Sequence, residues 1–223
     1  MLDQAGADIV EVGIPFSDPV ADGPTIMRAG QKAIAEGMTA GHIFDLLEEN
    51  KSAIKCKYVL MTYYHMLKVL GEETFFTRCD AAGVYGVIIP DMPHEYVVRL
   101  KAQYPNRKVK IISLVSMTAS EERMTQIAQQ AEGFIYTVTM NGITGGNGEF
   151  HPALQQKIKH LQAHATVPVV AGFGIKSPEH VALVGDVADG VVIGSEIVRR
   201  LEEQGRETFI KYVEDIRQTL NRL

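Results

Sequence analysis

Cysteine is scarce: two residues in 223, Cys56 and Cys79, in no CxxC spacing. That argues against a disulfide-stapled fold. With no basic-then-apolar leader at the start, secretion is not expected and a reducing cytoplasm fits best. Long apolar runs are also missing; the longest, such as Val167 to Phe173, fall far short of the roughly 20 residues that cross a bilayer. Basic charge is not in excess. The formal net charge of −5 disfavours nucleic acid and anionic membranes as partners and leaves small anionic substrates to local sites. Three motifs are absent: GxGxxG after an early strand, the P-loop GxxxxGK[ST], and HExxH. The histidines His42, His65, His94, His151, His160, His164 and His180 are scattered without ligand spacing, so no metal is expected.

What the chain does have is a length and composition suited to one sizeable core, with 46% hydrophobic and 22% charged residues and 20 glycines. One domain over residues 1–223 is expected. Short β-branched runs alternate with amphipathic segments, giving strands at Asp8–Val12, Tyr58–Tyr63, Gly86–Pro90, Lys110–Leu114, Phe134–Val138, Val167–Gly172 and Gly190–Gly194. Helices are predicted over Ser120–Gln130 and Leu201–Leu220, and over Thr25–Glu36 and Thr39–Asn50, separated by Gly37. Alternating β and α implies a parallel sheet, either doubly wound or closed as a (β/α)8 barrel. Glycines gather after the late strands, in Gly172-Phe173-Gly174 and Gly194-Ser195, where barrels commonly hold phosphate, so the expected class is an α/β TIM-type barrel.

Glu11 is the residue that most needs a reason. It lies within Ile9-Val10-Glu11-Val12, a run of the kind a parallel sheet covers on both faces. A carboxylate there must be paired, shifted in pKa, or placed at an open strand end. Asp22-Gly23-Pro24 follows, either a turn leading into a helix with proline near its first position or the carrier of a second catalytic acid. Gly194-Ser195 follows Val191-Val192-Ile193, so a strand delivers the chain to a helix N-terminus whose free N–H groups suit an anion. Ser195 would either hydrogen-bond a phosphate or simply cap the helix.

The whole segment Glu11 to Pro24, EVGIPFSDPVADGP, resembles the signature of the tryptophan synthase alpha chain family. Similar matches run through Leu60-Met61-Thr62-Tyr63-Tyr64, Ile88-Ile89-Pro90-Asp91-Met92-Pro93, Gly133-Phe134-Ile135-Tyr136, Gly142-Ile143-Thr144-Gly145, Ala171-Gly172-Phe173-Gly174-Ile175 and Gly194-Ser195. The resemblance implies a cytoplasmic barrel that cleaves indole-3-glycerol phosphate to indole and glyceraldehyde 3-phosphate, without a cofactor in this chain. It also implies a partner, a pyridoxal-phosphate-dependent beta chain that receives the indole and meets the loop Ser17-Asp18-Pro19.

By motif position, Glu11 resembles the general acid-base and Asp22 the acid that holds the indole N–H. Tyr136 resembles the residue near the substrate glycerol. Thr144, Gly145, Phe173, Gly174, Gly194 and Ser195 resemble the phosphate side, and Ile88 and Pro90 the indole pocket. Asp91 resembles a structural hydrogen-bonding acid. Two departures stand out: His65, where family members commonly have asparagine, and Thr139-Met140-Asn141, which lacks a serine-arginine pair.

Family members begin with a strand and most of a helix before the position of Leu2. The expectation is therefore an N-terminally incomplete barrel with seven of eight strands visible, whether Met1 is internal to a longer frame or the chain is a true short form. Two functions follow: an active lyase in an alpha-beta complex, or a weakly active or noncatalytic subunit that binds and activates the beta chain. Another phosphosugar barrel, such as an isomerase, does not suit EVGIPFSDPVADGP.

Overall fold

A computed structural model describes residues 1–138, 152–172 and 174–223. The chain alternates strand and helix: β1 (Ile9–Gly13), α1 (Pro24–Ala35), α2 (Ala40–Asn50), β2 (Lys57–Met61), α3 (Tyr64–Leu70), α4 (Glu72–Ala82), β3 (Gly86–Ile88), α5 (His94–Gln103), β4 (Lys110–Ser116), α6 (Glu121–Gln130), β5 (Ile135–Val138), α7 (Pro152–His164), β6 (Val169–Gly172), α8 (Pro178–Gly185), β7 (Gly190–Val191), α9 (Ser195–Glu203) and α10 (Arg206–Leu220). It divides into two compact units, residues 7–111 and residues 1–6 with 112–223.

In the unit of residues 7–111, β1, β2 and β3 pair in parallel, with Glu11 level with Val59 and Met61 level with Ile88. Leu60, Leu67, Phe75, Phe44 and Leu100 fill its core, and Phe44 meets Phe75 edge-on at 5.7 Å. Each such side chain contributes about 1.5–3 kcal/mol by leaving water. The long interval after β1 resolves as a loop and two helices, as the pattern predicts. Gly37 separates them at φ +84°, and the Thr39 side chain accepts the His42 N–H to start α2.

In the unit of residues 1–6 and 112–223, β4 to β7 pair in parallel, with Tyr136 level with Leu114 and Val170. Met124, Ile135, Ile158, Leu161, Val169 and Phe209 form its core. Ser120 caps α6 by accepting the Arg123 N–H. The chain end is not one helix over 201–220. Extended backbone at Gln204 and Gly205 stops α9 and starts α10, because an apolar stripe can persist in sequence across a turn that changes its direction. Strand ends also differ. Tyr63 lies beyond β2 and precedes α3, and β7 covers only two residues.

Candidate active site

Glu11 sits two residues before the end of β1. By surface area its side chain is open to water, yet enough protein surrounds it to desolvate the carboxyl. This combination describes a group in a recess rather than one sealed in the core. Burial pushes its pKa up to about 7, and the nearby negative charge of Asp22 adds to the shift. A carboxyl poised there can both give and take a proton near neutrality.

Asp22 is delivered by a tight loop. The Ile14 N–H donates to the Met61 carbonyl at 2.8 Å, Val20 N–H to Asp18 at 2.9 Å and Asp22 N–H to Pro19 at 3.0 Å. Gly23 then caps α1 and Pro24 opens it, so the turn reading holds and the same turn presents the Asp22 carboxyl. Burial raises the Asp22 pKa, while a hydrogen bond from Tyr63 opposes the rise.

Tyr63 is a candidate site residue that the sequence does not single out. The residue is 3% exposed, its ring packs 5.2 Å from that of Phe16, and its hydroxyl accepts the Ala21 N–H at 3.1 Å, next to Asp22 in the chain. Burial, together with the charges of Asp22 and Asp91, pushes the phenol up to about 12. In sequence it reads as the last aromatic of the expected strand Tyr58–Tyr63.

Of the remaining residues expected in this unit, Ile88 is fully buried at the end of β3 and its carbonyl accepts the Thr62 N–H at 3.0 Å, with Pro90 two residues on. Asp91 accepts the Tyr64 N–H at 2.9 Å and so satisfies a donor at the start of α3. His65 is exposed and its ring lies 5.7 Å from Phe16.

The other unit holds Tyr136, Gly174, Gly194 and Ser195. Tyr136 lies against Gly172 of the neighbouring strand. Gly174 turns at φ +69° and is exposed, with none of the described residues within 4 Å of where a Cβ would stand. Gly194 is the N-cap of α9 without a side-chain cap bond, so Ser195 is already in the helix and does not cap it. The N–H groups of Ser195, Glu196 and Ile197 precede the first intrahelical bond, in which Val198 N–H reaches the Gly194 carbonyl. Thr144, Gly145 and Phe173 lie outside the described residues. Among the described residues no trio of His, Cys, Asp or Glu could hold a metal, and the His160 and His164 rings lie 4.4 Å apart, tilted by 34°.

Parallel strands alternating with helices, and ionisable or anion-ready groups near the strands' C-terminal ends, define an enzyme of the (β/α)8-barrel class. The chain belongs to the tryptophan synthase alpha chain family, whose model matches residues 1–222. It is 59% identical over 222 residues to the tryptophan synthase alpha chain of Staphylococcus epidermidis, covering 100% of this chain and 91% of that one. Among solved structures it is similar to the tryptophan synthase subunit alpha of Legionella pneumophila, at 30% identity and TM-score 0.87, covering 100% of this chain and 85% of that one. It is also similar to a ligand-free tryptophan synthase structure from Mycobacterium tuberculosis, at 29% identity and TM-score 0.86, covering 98% and 83%. Alpha chains of this family are carbon-carbon lyases that cleave indole-3-glycerol phosphate, and they work with a beta chain. The alternative of a noncatalytic activator is not favoured. No helix among the described residues is long and apolar enough to cross a membrane.

Proposed function

We propose that Glu11 is the general acid-base and Asp22 the indole-holding acid of the indole-3-glycerol phosphate cleavage. The observation that carries this is the Glu11 carboxyl, raised to about 7 beside a second, partly buried acid. Carbon-carbon cleavage needs the indole to become a leaving group. A proton from Glu11 to the ring carbon that bears the side chain makes an indolenine, while Asp22 accepts the ring N–H and stabilises the positive charge that develops there. Removal of the adjacent glycerol hydroxyl proton, again by Glu11, lets the carbon-carbon bond break. Its electrons return to the ring, giving indole and glyceraldehyde 3-phosphate with no net change in protons. Two acids in different environments suffice for these steps, and neither a metal nor a cofactor takes part.

Ile88 and Pro90 would line the indole side, Tyr136 the glycerol, and Thr144, Gly145, Phe173, Gly174, Gly194 and Ser195 the phosphate. The exposed backbone at Gly174 and the N–H groups at the start of α9, which have no partner among the described residues, support the last of these. A reducing cytoplasm would keep Cys56 and Cys79 as thiols. The Ser17-Asp18-Pro19 loop would meet the beta chain. Ser17 donates to the Asp18 carboxylate at 2.7 Å, and Val20 beside it is 83% exposed, a surface suited to docking.

Replacement of Glu11 by glutamine should lower lyase turnover by at least about 100-fold while stimulation of the beta chain persists, showing an intact fold. Unchanged turnover would remove Glu11 from the role.

A further inference from the structure

Glu196 is a buried carboxylate that the cleavage chemistry does not use. It is the second residue of α9, 8% exposed, beside Ser195. Arg199 grips it with both ends of the fork, at 2.7 and 3.1 Å, and Arg200 Nε donates to it at 2.6 Å. Arg199 also pairs with Glu203. These bonds hold the Glu196 carboxyl below the usual carboxylate range, the Arg199 bond contributing most.

The Arg200 guanidinium in turn lies 3.9 Å from the centre of the Tyr212 ring on α10, and the Tyr212 hydroxyl donates to the Lys176 carbonyl at 3.2 Å. Lys176 is two residues past Gly174. One continuous set of contacts therefore joins the start of α9 to the Gly174 turn, the two backbone segments that expose anion-ready groups.

A carboxylate at a helix N-terminus competes with an arriving phosphate unless its charge is cancelled. Here two arginines cancel it. The same pairing commits both guanidiniums, leaving backbone N–H groups and the Ser195 hydroxyl to bind the anion. We propose that Glu196 is a positioning residue for phosphate, fixing the start of α9 relative to the Gly174 turn through Arg200 and Tyr212. This rests on the phosphate-side reading given above.

The test is calorimetric binding of glycerol 3-phosphate, glycerol and indole to the full chain. Wild type should prefer glycerol 3-phosphate to glycerol. Glu196→Ala should weaken glycerol 3-phosphate by about tenfold, the scale seen when a network supporting a site is cut, leave indole binding unchanged, and raise KM more than it lowers kcat. Tyr212→Phe, which deletes one oxygen, should give the same phosphate-specific loss at smaller size and serves if Glu196→Ala folds poorly. Equal losses for glycerol 3-phosphate and indole, or none in either variant, would overturn the positioning role while the wild-type preference stands. No wild-type preference for the phosphorylated ligand would remove the phosphate reading itself.

Discussion

The ring of Tyr136 on β5 occupies the space that a Cβ on Gly172 of β6 would need, with its hydroxyl oxygen 2.8 Å from that point. Glycine is required there by contact and not by backbone angle. Gly172→Ala should displace the ring and cost about 1–3 kcal/mol, the range for overpacking a filled site, with lyase activity falling in parallel. Urea unfolding of Gly172→Ala, Tyr136→Ala and the double variant checks this. A double variant much more stable than the sum of its parts predicts is the expected result.

The Tyr63 hydroxyl accepts the Ala21 N–H and opposes the rise in the Asp22 pKa that burial causes. Tyr63→Phe removes both effects. The Asp22 pKa should then rise further, and the acid limb of the pH–rate profile should move to higher pH. A fall in kcat/KM of roughly 10- to 100-fold is expected; an unmoved acid limb would dissociate Tyr63 from Asp22.

Stability should depend on pH through Glu11. The folded state raises this carboxyl from its ordinary 4.5 to about 7, so folding favours the protonated form. That benefit is complete below about 4.5 and is lost as pH rises through about 7. Water reaches the group, so about 1 kcal/mol remains after screening, or roughly 2–4 °C in Tm. Glu11→Gln should remove this dependence, gaining on wild type between pH 4.5 and pH 8 in thermal melts.

Asp91→Ala should act chiefly on stability. The carboxylate satisfies the Tyr64 N–H at the start of α3, and losing such a cap costs about 1 kcal/mol. Asp91→Asn, which keeps an acceptor, should recover most of the Tm.

Periodicity was enough for the seven strands and for α1, α2 and α6, because each carries its own apolar repeat and, at Thr39 and Ser120, its own cap. It failed where direction depends on a single backbone turn. The stripe running from Leu201 to Leu220 continues across Gln204 and Gly205, so one helix was expected where two form. The site was legible as far as types of residue in order can show it. Glu11 stood out because a charge interrupts an apolar strand. Tyr63 did not, because a tyrosine after Leu60 and Met61 reads as one more strand aromatic until the loop from Ile14 to Gly23 folds back onto its hydroxyl. Ser195 presented the same difficulty in reverse: its spacing allowed a cap, and only the backbone shows that Gly194 takes that place.

The pairing of Glu11 with Val59 sets more than sheet stability. Side chains alternate along a strand, so a slip of one residue between β1 and β2 would send the acid to the opposite face and bring an apolar neighbour round in its place. A chain with β1 out of register should therefore be inactive. The return of lyase turnover after dilution from denaturant cannot precede the locking of β1 onto β2, so it sets a latest time for that event, to be read against the circular dichroism of the whole chain.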